Sequence, residues 1–356
     1  MYLKMKINIA NNELIHFIGI GGIGMSGLAQ IMKNMGFTIQ GSDLSHSKNT
    51  DRLIKVGIKV YFGHSKKNLK KATMVVTSSA IKKNNKELMA AKNKKLPIFQ
   101  RGEMLANIVA LKKNIVVSGS HGKTTTTSLI ANILAEAGLD PTIINGGVIN
   151  SLKNTAHLGK GEWAVIESDE SDGSFLKLPI TYSIVTNLDK EHLEYYKSFD
   201  NLKKSFRFFI EKTPSYGKSF ICLDNDNIKS LLRKCKTDNF LTYGFNKRSN
   251  YQIENVRKKS DYSIFDLRVK IAGAKIFKIK NIQLNLIGDH NITNAAAAIA
   301  AVLNIGIKID IIKKALKKFL GIQRRFTKVF SIDNKVFYDD YAHHPTEIKA
   351  VINSAR

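Results

Sequence analysis

Apolar residues fall into short runs along most of the chain, separated by stretches with helical spacing. Ile15 to Gly19 is one such run. It enters a glycine-rich turn, Gly19-Ile-Gly-Gly-Ile-Gly24, and the apolar positions from Met25 to Met35 then recur at helical intervals, so the segment predicts a strand, a turn and a helix. Thr38 to Gly41 predicts a second strand that runs up to Asp43, and the apolar runs Ile58–Tyr61 and Met74–Thr77 alternate with further helical stretches. Such alternation predicts a parallel sheet with helices on its faces.

Near Leu111-Lys112-Lys113 the pattern restarts. Asn114 to Val117 reads as a buried strand, followed by a glycine loop and a long helix from Lys123 to Ala137. Trp163–Ile166 and Tyr182–Thr186 read as strands that each end in a polar cluster, the place where open α/β sheets hold their ligands. Between Tyr251 and Lys280 the alternation predicts antiparallel hairpins appended to this second sheet. The most apolar stretch, Ala295 to Ile307, is too short to cross a bilayer and predicts a buried helix. After Gly321 come two β-like runs, Thr327–Ile332 and Lys335–Tyr338, a polar segment from Asp339 to Glu347, and a helix that reaches Arg356. The fold class expected is therefore α/β: a Rossmann-like parallel-sheet domain over 1–109, a central P-loop-type α/β domain over 110–320, and the start of a third α/β domain over 321–356. That last stretch is too small to bury a core of its own, so the third domain is expected to be incomplete.

Composition agrees with several packed units. The chain has 356 residues, 43% of them hydrophobic and 24% charged, an ordinary globular balance for a length beyond a single core. The net charge of +27 raises the question of a nucleic-acid partner. The lysines are spread through every region, as in Lys66-Lys67, Lys94-Lys95, Lys258-Lys259 and Lys317-Lys318, without interleaved aromatics, which favours a solvated surface and no nucleic-acid groove. Cys222 and Cys235 have neither metal-ligand spacing nor the number for a disulfide framework, consistent with the cytoplasm. Met1 to Glu13 carries no continuous apolar core followed by a cleavage site, so neither an export signal nor membrane insertion is expected.

The strongest chemical signal is Ser118-Gly119-Ser120-His121-Gly122-Lys123-Thr124, between a buried strand and a helix. Backbone N–H groups and a helix N-terminus at that point face an anion. Lys123 is placed to reach terminal phosphates and Thr124 to hold Mg²⁺, although the standard P-loop has glycine where Val117 stands. Glu167 opens the acid run Glu-Ser-Asp-Glu-Ser-Asp at the end of a strand and can complete the magnesium shell; a solvated loop would look similar. His192 follows the next strand and falls on the same sheet edge, as a second-metal ligand or as a structural histidine.

Elsewhere the signals are more open. Gly19 to Gly24 has the approximate spacing of a dinucleotide fingerprint, with Asp43 about 20 residues on, where a ribose contact is expected. This supports a nucleotide diphosphate without choosing between NAD and a UDP-sugar. A dinucleotide-dependent oxidoreductase built on that turn would leave Gly119 to Thr124 unexplained. His290, Asn291 and Asn294 open an alanine-rich helix and either cap it or read a base edge. Arg324-Arg325 can clamp a phosphate or pair with acids, and Asp339-Asp340-Tyr341-Ala342-His343-His344-Pro345 is rich in titratable groups for an ordinary turn.

Taken in order, the segments resemble the Mur ligase family. The likeness rests on Gly19-Ile-Gly-Gly-Ile-Gly-Met-Ser-Gly27, Gly41-Ser-Asp43, Ser78-Ser-Ala-Ile81, Gln100-Arg101, Gly119-Ser-His-Gly-Lys-Thr-Thr-Thr-Thr127, Asn145-Gly-Gly147, Glu167-Ser-Asp-Glu-Ser-Asp172, His290-Asn291, Arg324-Arg-Phe326 and Asp339-Asp-Tyr-Ala-His-His-Pro-Thr-Glu347, which span nearly the whole chain. It implies an ATP-dependent ligase of peptidoglycan precursor synthesis with ATP and Mg²⁺ in the central domain and UDP-N-acetylmuramate and L-alanine as substrates. On matching positions, Gly119, Ser120, His121, Gly122, Lys123, Thr124 and Thr125 would serve the ATP phosphates, with Thr124, Glu167 and His192 on metal. His290, Asn291 and Asn294 would lie by the adenine, and Arg325 and Asp340 would contact ATP. Tyr341, His343 and His344 would sit beside the incoming alanine, and Gly22, Ser42, Asp43 and Ser79 would hold the UDP end. Two departures stand out: Lys190-Glu191 precede His192 where many relatives carry Pro-Asp or Pro-Glu, and relatives continue well past the position of Arg356. A related ligase for another amino acid or peptide, or a nucleotide-binding protein without turnover, would share much of this pattern.

Overall fold

The computed structural model describes residues 13–152, 154–333 and 335–355. The reading of Met1–Glu13 as free of an export signal lies outside the described residues except for Glu13. The chain divides into two compact units, one ending at Ile108 and one beginning at Val109.

The first unit is built on five parallel strands in the order β3-β2-β1-β4-β5: β1 (Leu14–Ile18), β2 (Thr38–Asp43), β3 (Lys59–Phe62), β4 (Met74–Thr77) and β5 (Ile98–Gln100). Helices α1 (Ile23–Asn34), α2 (Lys48–Lys55), α3 (Lys86–Asn93) and α4 (Arg101–Val109) fall between or after them. β1 is central, and Ile15, Phe17 and Ile18 are buried, as a strand covered on both faces requires. The strand order reverses at β1 and β4, whose C-terminal ends carry the glycine turn and Ser78 to Ile81. The turn is fixed from β2: Gly19 N and Ile20 N both donate to Ser42 O, at 2.8 and 2.9 Å.

The second unit carries a ten-stranded mixed sheet, ordered β15-β14-β13-β12-β11-β10-β6-β9-β7-β8. Its strands are β6 (Lys113–Ser118), β7 (Thr142–Ile149), β8 (Asn154–His157), β9 (Trp163–Glu167), β10 (Tyr182–Val185), β11 (Lys218–Cys222), β12 (Phe240–Gly244), β13 (Tyr251–Lys258), β14 (Ser263–Val269) and β15 (Phe277–Leu284). β6 lies in the middle, parallel to β9 and β10, so α5 (Lys123–Glu136) starts above the centre of the sheet. The hairpins expected between Tyr251 and Lys280 are β13–β14–β15, antiparallel to one another and joined to the sheet through β12.

The remaining helices are α6 (Leu193–Tyr196), α7 (Phe199–Glu211), α8 (Asp226–Leu232), α9 (Asp289–Ile305) and α10 (Ile309–Lys317). The stretch expected to be a buried helix is α9, with Ala295 through Val302 wholly inaccessible. Its alanines present only methyl groups, which lets α9 pack close against α5. Among the described residues no helix is long and apolar enough to cross a membrane. Residues after Gly321 add the antiparallel pair β16 (Thr327–Ile332) and β17 (Lys335–Asp339) and then α11 (Pro345–Ala355) to this unit. Two strands cannot cover their own faces, and Val329, Ile332, Val336 and Phe337 are exposed.

Candidate functional site

The loop between β6 and α5 is held from two sides. Gly119 has φ +135°, and a Cβ there would stand 2.1 Å from Thr186 Oγ1. Gly122, at φ +81°, precedes α5, and its Cβ would stand 2.5 Å from Asn294 Oδ1. The end of β10 and the first turns of α9 therefore press on the loop, and only glycine leaves the room. His121 N donates to Asn187 Oδ1 at 2.7 Å, Thr186 Oγ1 donates to His121 O at 2.6 Å, and Asp189 N donates to Ser120 Oγ at 2.9 Å. Gly119→Ala is expected to lower stability by about 1–3 kcal/mol through backbone strain, with the Thr186 contact added to it. Urea unfolding of the second unit, followed by the fluorescence of its Trp163, measures this; an unchanged midpoint would mean the loop adapts freely.

At the start of α5, Lys123 Nζ donates to Gly119 O at 2.5 Å, Ser120 O at 3.1 Å and Glu170 Oε1 at 2.7 Å. Burial alone would lower its pKa, but Glu170, then Glu167 and Glu191, outweigh it and raise the value above the ordinary one. Thr124 Oγ1 donates to Glu167 Oε1 at 3.0 Å, and Gly146 N donates to Glu167 Oε2 at 2.5 Å. Glu167 is held above the usual carboxylate range by burial, against the pull of Lys123. His192, with φ +56° ahead of α6, places Nε2 3.6 Å from Glu170 Oε1, and that carboxylate raises its pKa. Glu170 Oε2 is buried without a hydrogen-bond partner.

On the other side of the loop, His121 Nε2 lies 2.9 Å from Asp189 Oδ2, and His121 Nδ1 lies 3.3 Å from Glu347 Oε1. Burial opposes the charged ring, but these two carboxylates prevail and push its pKa up to about 9. Glu347 is held at about 2: burial would raise it, and hydrogen bonding to His121 overrides that. Arg325 Nη1 stands 3.8 Å from the same carboxylate.

The structure gathers several of the expected residues around one cavity of about 300 Å³ in the second unit. His121 and Gly122 border it from the loop, Thr125 from α5, His290, Asn291 and Asn294 from α9, and Arg325 and Asp340 from beyond Gly321. The volume is at the lower end of what small-molecule sites use. Asn291 Nδ2 donates to Ile287 O at 2.8 Å, and burial lowers the pKa of His290. Asp340 accepts from Phe326 N at 2.7 Å and from Ala342 N at 2.8 Å.

Other expected residues stand apart. Lys123, Thr124, Glu167 and His192 form the polar cluster at the start of α5 and are not in that cavity wall. Tyr341 lies under the Arg324 and Arg325 guanidiniums, at 4.9 and 5.7 Å. His343 is largely exposed, whereas the His344 ring is 4.9 Å from that of His121. Gly22, Ser42, Asp43 and Ser79 belong to the first unit. There Gly22 precedes α1, Asp43 Oδ2 accepts from Gly21 N at 2.7 Å, Ser42 Oγ donates to buried Glu87 at 2.5 Å, and Ser79 is exposed after β4. Glu170, Asn187, Asp189, Glu191 and Glu347 were not singled out from the sequence, although each sits within or beside a motif that was.

Residues 14–113 match the sequence model of the Mur ligase family, catalytic domain, and residues 117–302 that of the Mur ligase middle domain. The UDP-N-acetylmuramate–L-alanine ligase of Pelagibacter ubique is 59% identical over 352 residues, which are 99% of this chain and 76% of that protein. The enzyme of the same name from Brucella ovis is 46% identical over 354 residues, 99% of this chain and 74% of its own. In structure, the chain is similar to the UDP-N-acetylmuramate–alanine ligase of Thermotoga maritima, with a TM-score of 0.83 at 30% identity, covering 96% of this chain and 77% of the other. It is also similar to a murein peptide ligase of Psychrobacter arcticus, with a TM-score of 0.81 at 26% identity, covering 96% and 76%.

Proposed function

The chain belongs to the Mur ligase family, and on that premise we propose that it is an ATP-dependent ligase joining L-alanine to the lactyl carboxylate of UDP-N-acetylmuramate in peptidoglycan precursor synthesis. The observation that carries the reading is the set of charges at the start of α5, where Lys123 and Thr124 meet two carboxylates, buried Glu170 and half-buried Glu167. The identity to two alanine ligases along 99% of the chain supports the choice of substrates. With small soluble substrates and two free cysteines, the place of action is the cytoplasm.

The phosphates of ATP lie along Gly119 to Thr125, where backbone N–H groups and the N-terminus of α5 favour an anion. Lys123 then leaves Gly119 O and Ser120 O for the terminal phosphates. His290, Asn291 and Asn294 receive the adenine in the 300 Å³ cavity, with Arg325 and Asp340 on the nucleotide from the far wall. Thr124, Glu167 and His192 are the residues that hold magnesium. The Thr124 and Glu167 oxygens suit a hard cation, and the unpartnered, buried Oε2 of Glu170 supplies one more oxygen beside them. When bound, magnesium neutralises charge on the phosphate oxygens.

In the first step a lactyl carboxylate oxygen attacks the γ-phosphorus and ADP leaves, giving an acyl phosphate. In the second, the amine of alanine attacks the acyl carbon and inorganic phosphate leaves. The amine's proton passes to one imidazole of the His343–His344 pair, with Tyr341 beside the amino acid. Gly22, Ser42, Asp43 and Ser79 hold the UDP end. Residues 1–109 form the UDP-sugar domain, 110–320 the ATP domain and 321–356 part of a third.

A coupled assay of phosphate release with ATP, Mg²⁺, UDP-N-acetylmuramate and L-alanine is the test. Release that depends on L-alanine is expected. Release that instead needs a tripeptide would assign a related ligase, and nucleotide binding without release under either condition would remove the ligase reading.

A further inference from the structure

We propose that His121, Glu191 and His344 form a site for a borderline divalent cation such as Zn²⁺, separate from the magnesium ligands named above. His121 Nε2 and His344 Nε2 each lie 3.8 Å from Glu191 Oε1, and the three donors fall within 4.8 Å of one another. A tetrahedral ion with bonds of about 2.0–2.1 Å keeps its donors roughly 3.3 Å apart, so each histidine closes on Glu191 by about half an ångström as the ion enters. Asp189 Oδ2 stands 2.9 Å from His121 Nε2, outside the group of three, and water completes the coordination.

The surroundings have the form of a metal site as well as its donors. Glu347 Oε1 sits 3.3 Å from His121 Nδ1, on the far side of the ring from the cluster. A carboxylate there fixes the ring with its proton on Nδ1 and turns the Nε2 lone pair toward an ion, the outer-ligand arrangement that orients metal-binding histidines. The ion takes the place of the proton that His121 Nε2 shares with Asp189, and two carboxylates balance its charge. Two imidazole nitrogens with carboxylate oxygen select a transition metal over Mg²⁺. The neighbouring group Glu170, Glu191 and His192 is less suited, because the Lys123 amine already stands 2.7 Å from Glu170 Oε1. An ion on His121, Glu191 and His344 ties the phosphate loop and the segment after β10 to the residues before α11. It also draws Glu191 away from Glu170 and His192 and occupies His344, one of the proposed proton acceptors, so it restrains the proposed ligase site without being required by it.

Cobalt is the probe, since a four-coordinate Co²⁺ absorbs visibly and Zn²⁺ does not. Titration of the full chain, free of nucleotide and magnesium, is expected to give an intense ligand-field band that saturates at one ion per chain and is erased by Zn²⁺. His344→Ala and Glu191→Gln are expected to abolish the band, and Glu347→Gln to weaken affinity about 10–100-fold. His192→Ala and His343→Ala are expected to leave it intact, with circular dichroism confirming the fold of each variant. No band in the unaltered chain, a band that survives His344→Ala, or one that disappears with His192→Ala would each overturn the assignment.

Discussion

Lys123→Ala is expected to lower kcat by at least ~10³-fold while leaving UDP-N-acetylmuramate binding essentially unchanged. A preorganised cation aimed at charge that develops on a phosphoryl group contributes on that scale, and an exposed lysine elsewhere does not replace it. Lys123 is at the first position of α5, its side chain 17% exposed, with three acceptors around its amine. Its removal also strands Glu170, whose side chain is 5% exposed and whose second oxygen is already without a partner. A loss of stability is therefore expected beside the loss of turnover, and the two need separating. In the double variant Lys123→Ala/Glu170→Gln the stranded charge is gone, so stability is expected to recover while kcat stays low. Calorimetric titration with the UDP-sugar and single-turnover phosphate release give the two readouts. Equal loss of sugar binding and turnover would contradict the assignment of the UDP end to the first unit, and recovery of kcat in the double variant would make Lys123 a structural residue.

The parts of this site that were legible from sequence are those that local pattern controls. A buried run, two glycines and Lys-Thr placed the phosphate loop between β6 and α5, because a parallel strand covered on both faces is continuously apolar and a loop that must approach other backbone needs glycine. Thr124 beside Glu167 followed from two neighbouring strand ends. Direction within loops was not legible. Glu167 to Asp172 reads as a single run of acids, and nothing in its spacing shows that Glu170, rather than Glu167, pairs with Lys123 and meets His192. That depends on the turn closed by Gly173 at φ +71°, which folds the run back over the start of α5. β7 was missed for a related reason: Gly146-Gly147 interrupts its alternation, and the register with β8 shifts between Ile144 and Ile149, where Gly146 N turns to Glu167. Ser42 is placed at the UDP end by the family resemblance, and its hydroxyl donates to a carboxylate 45 residues away. No periodicity links such a pair.

That carboxylate, Glu87, is expected to make the first unit acid-sensitive over a defined window. It occupies the first turn of α3, after the capping Asn85, where a carboxylate suits the helix N-terminus. In the structure it is fully buried, accepting from Ser42 Oγ at 2.5 Å, Asn68 Nδ2 at 2.6 Å and Ser65 N at 3.3 Å, with His64 Nδ1 at 3.1 Å. Gln40 Nε2 donates to His16 Nδ1, which leaves the ring proton on Nε2, 3.5 Å from Glu87 Oε2. Burial by itself would raise the pKa, but the nearby His16 ring and the bonds from Ser42 and Asn68 prevail and hold it at about 2, below the ordinary 4.5. Because the folded value is the lower one, the stabilisation is complete above the unfolded pKa. It is lost as pH falls from about 4.5 through about 2, and it amounts to roughly 3 kcal/mol. Glu87→Gln is expected to cost about 3–5 kcal/mol at neutral pH, since an amide turns N–H toward groups that are themselves donors, and to flatten the acid limb. The only tryptophan, Trp163, reports on the second unit, so the measurement is hydrogen exchange of the β1 and β2 amides across that pH range. Parallel loss of protection in both proteins would assign the acid sensitivity to another group and leave Glu87 as packing alone.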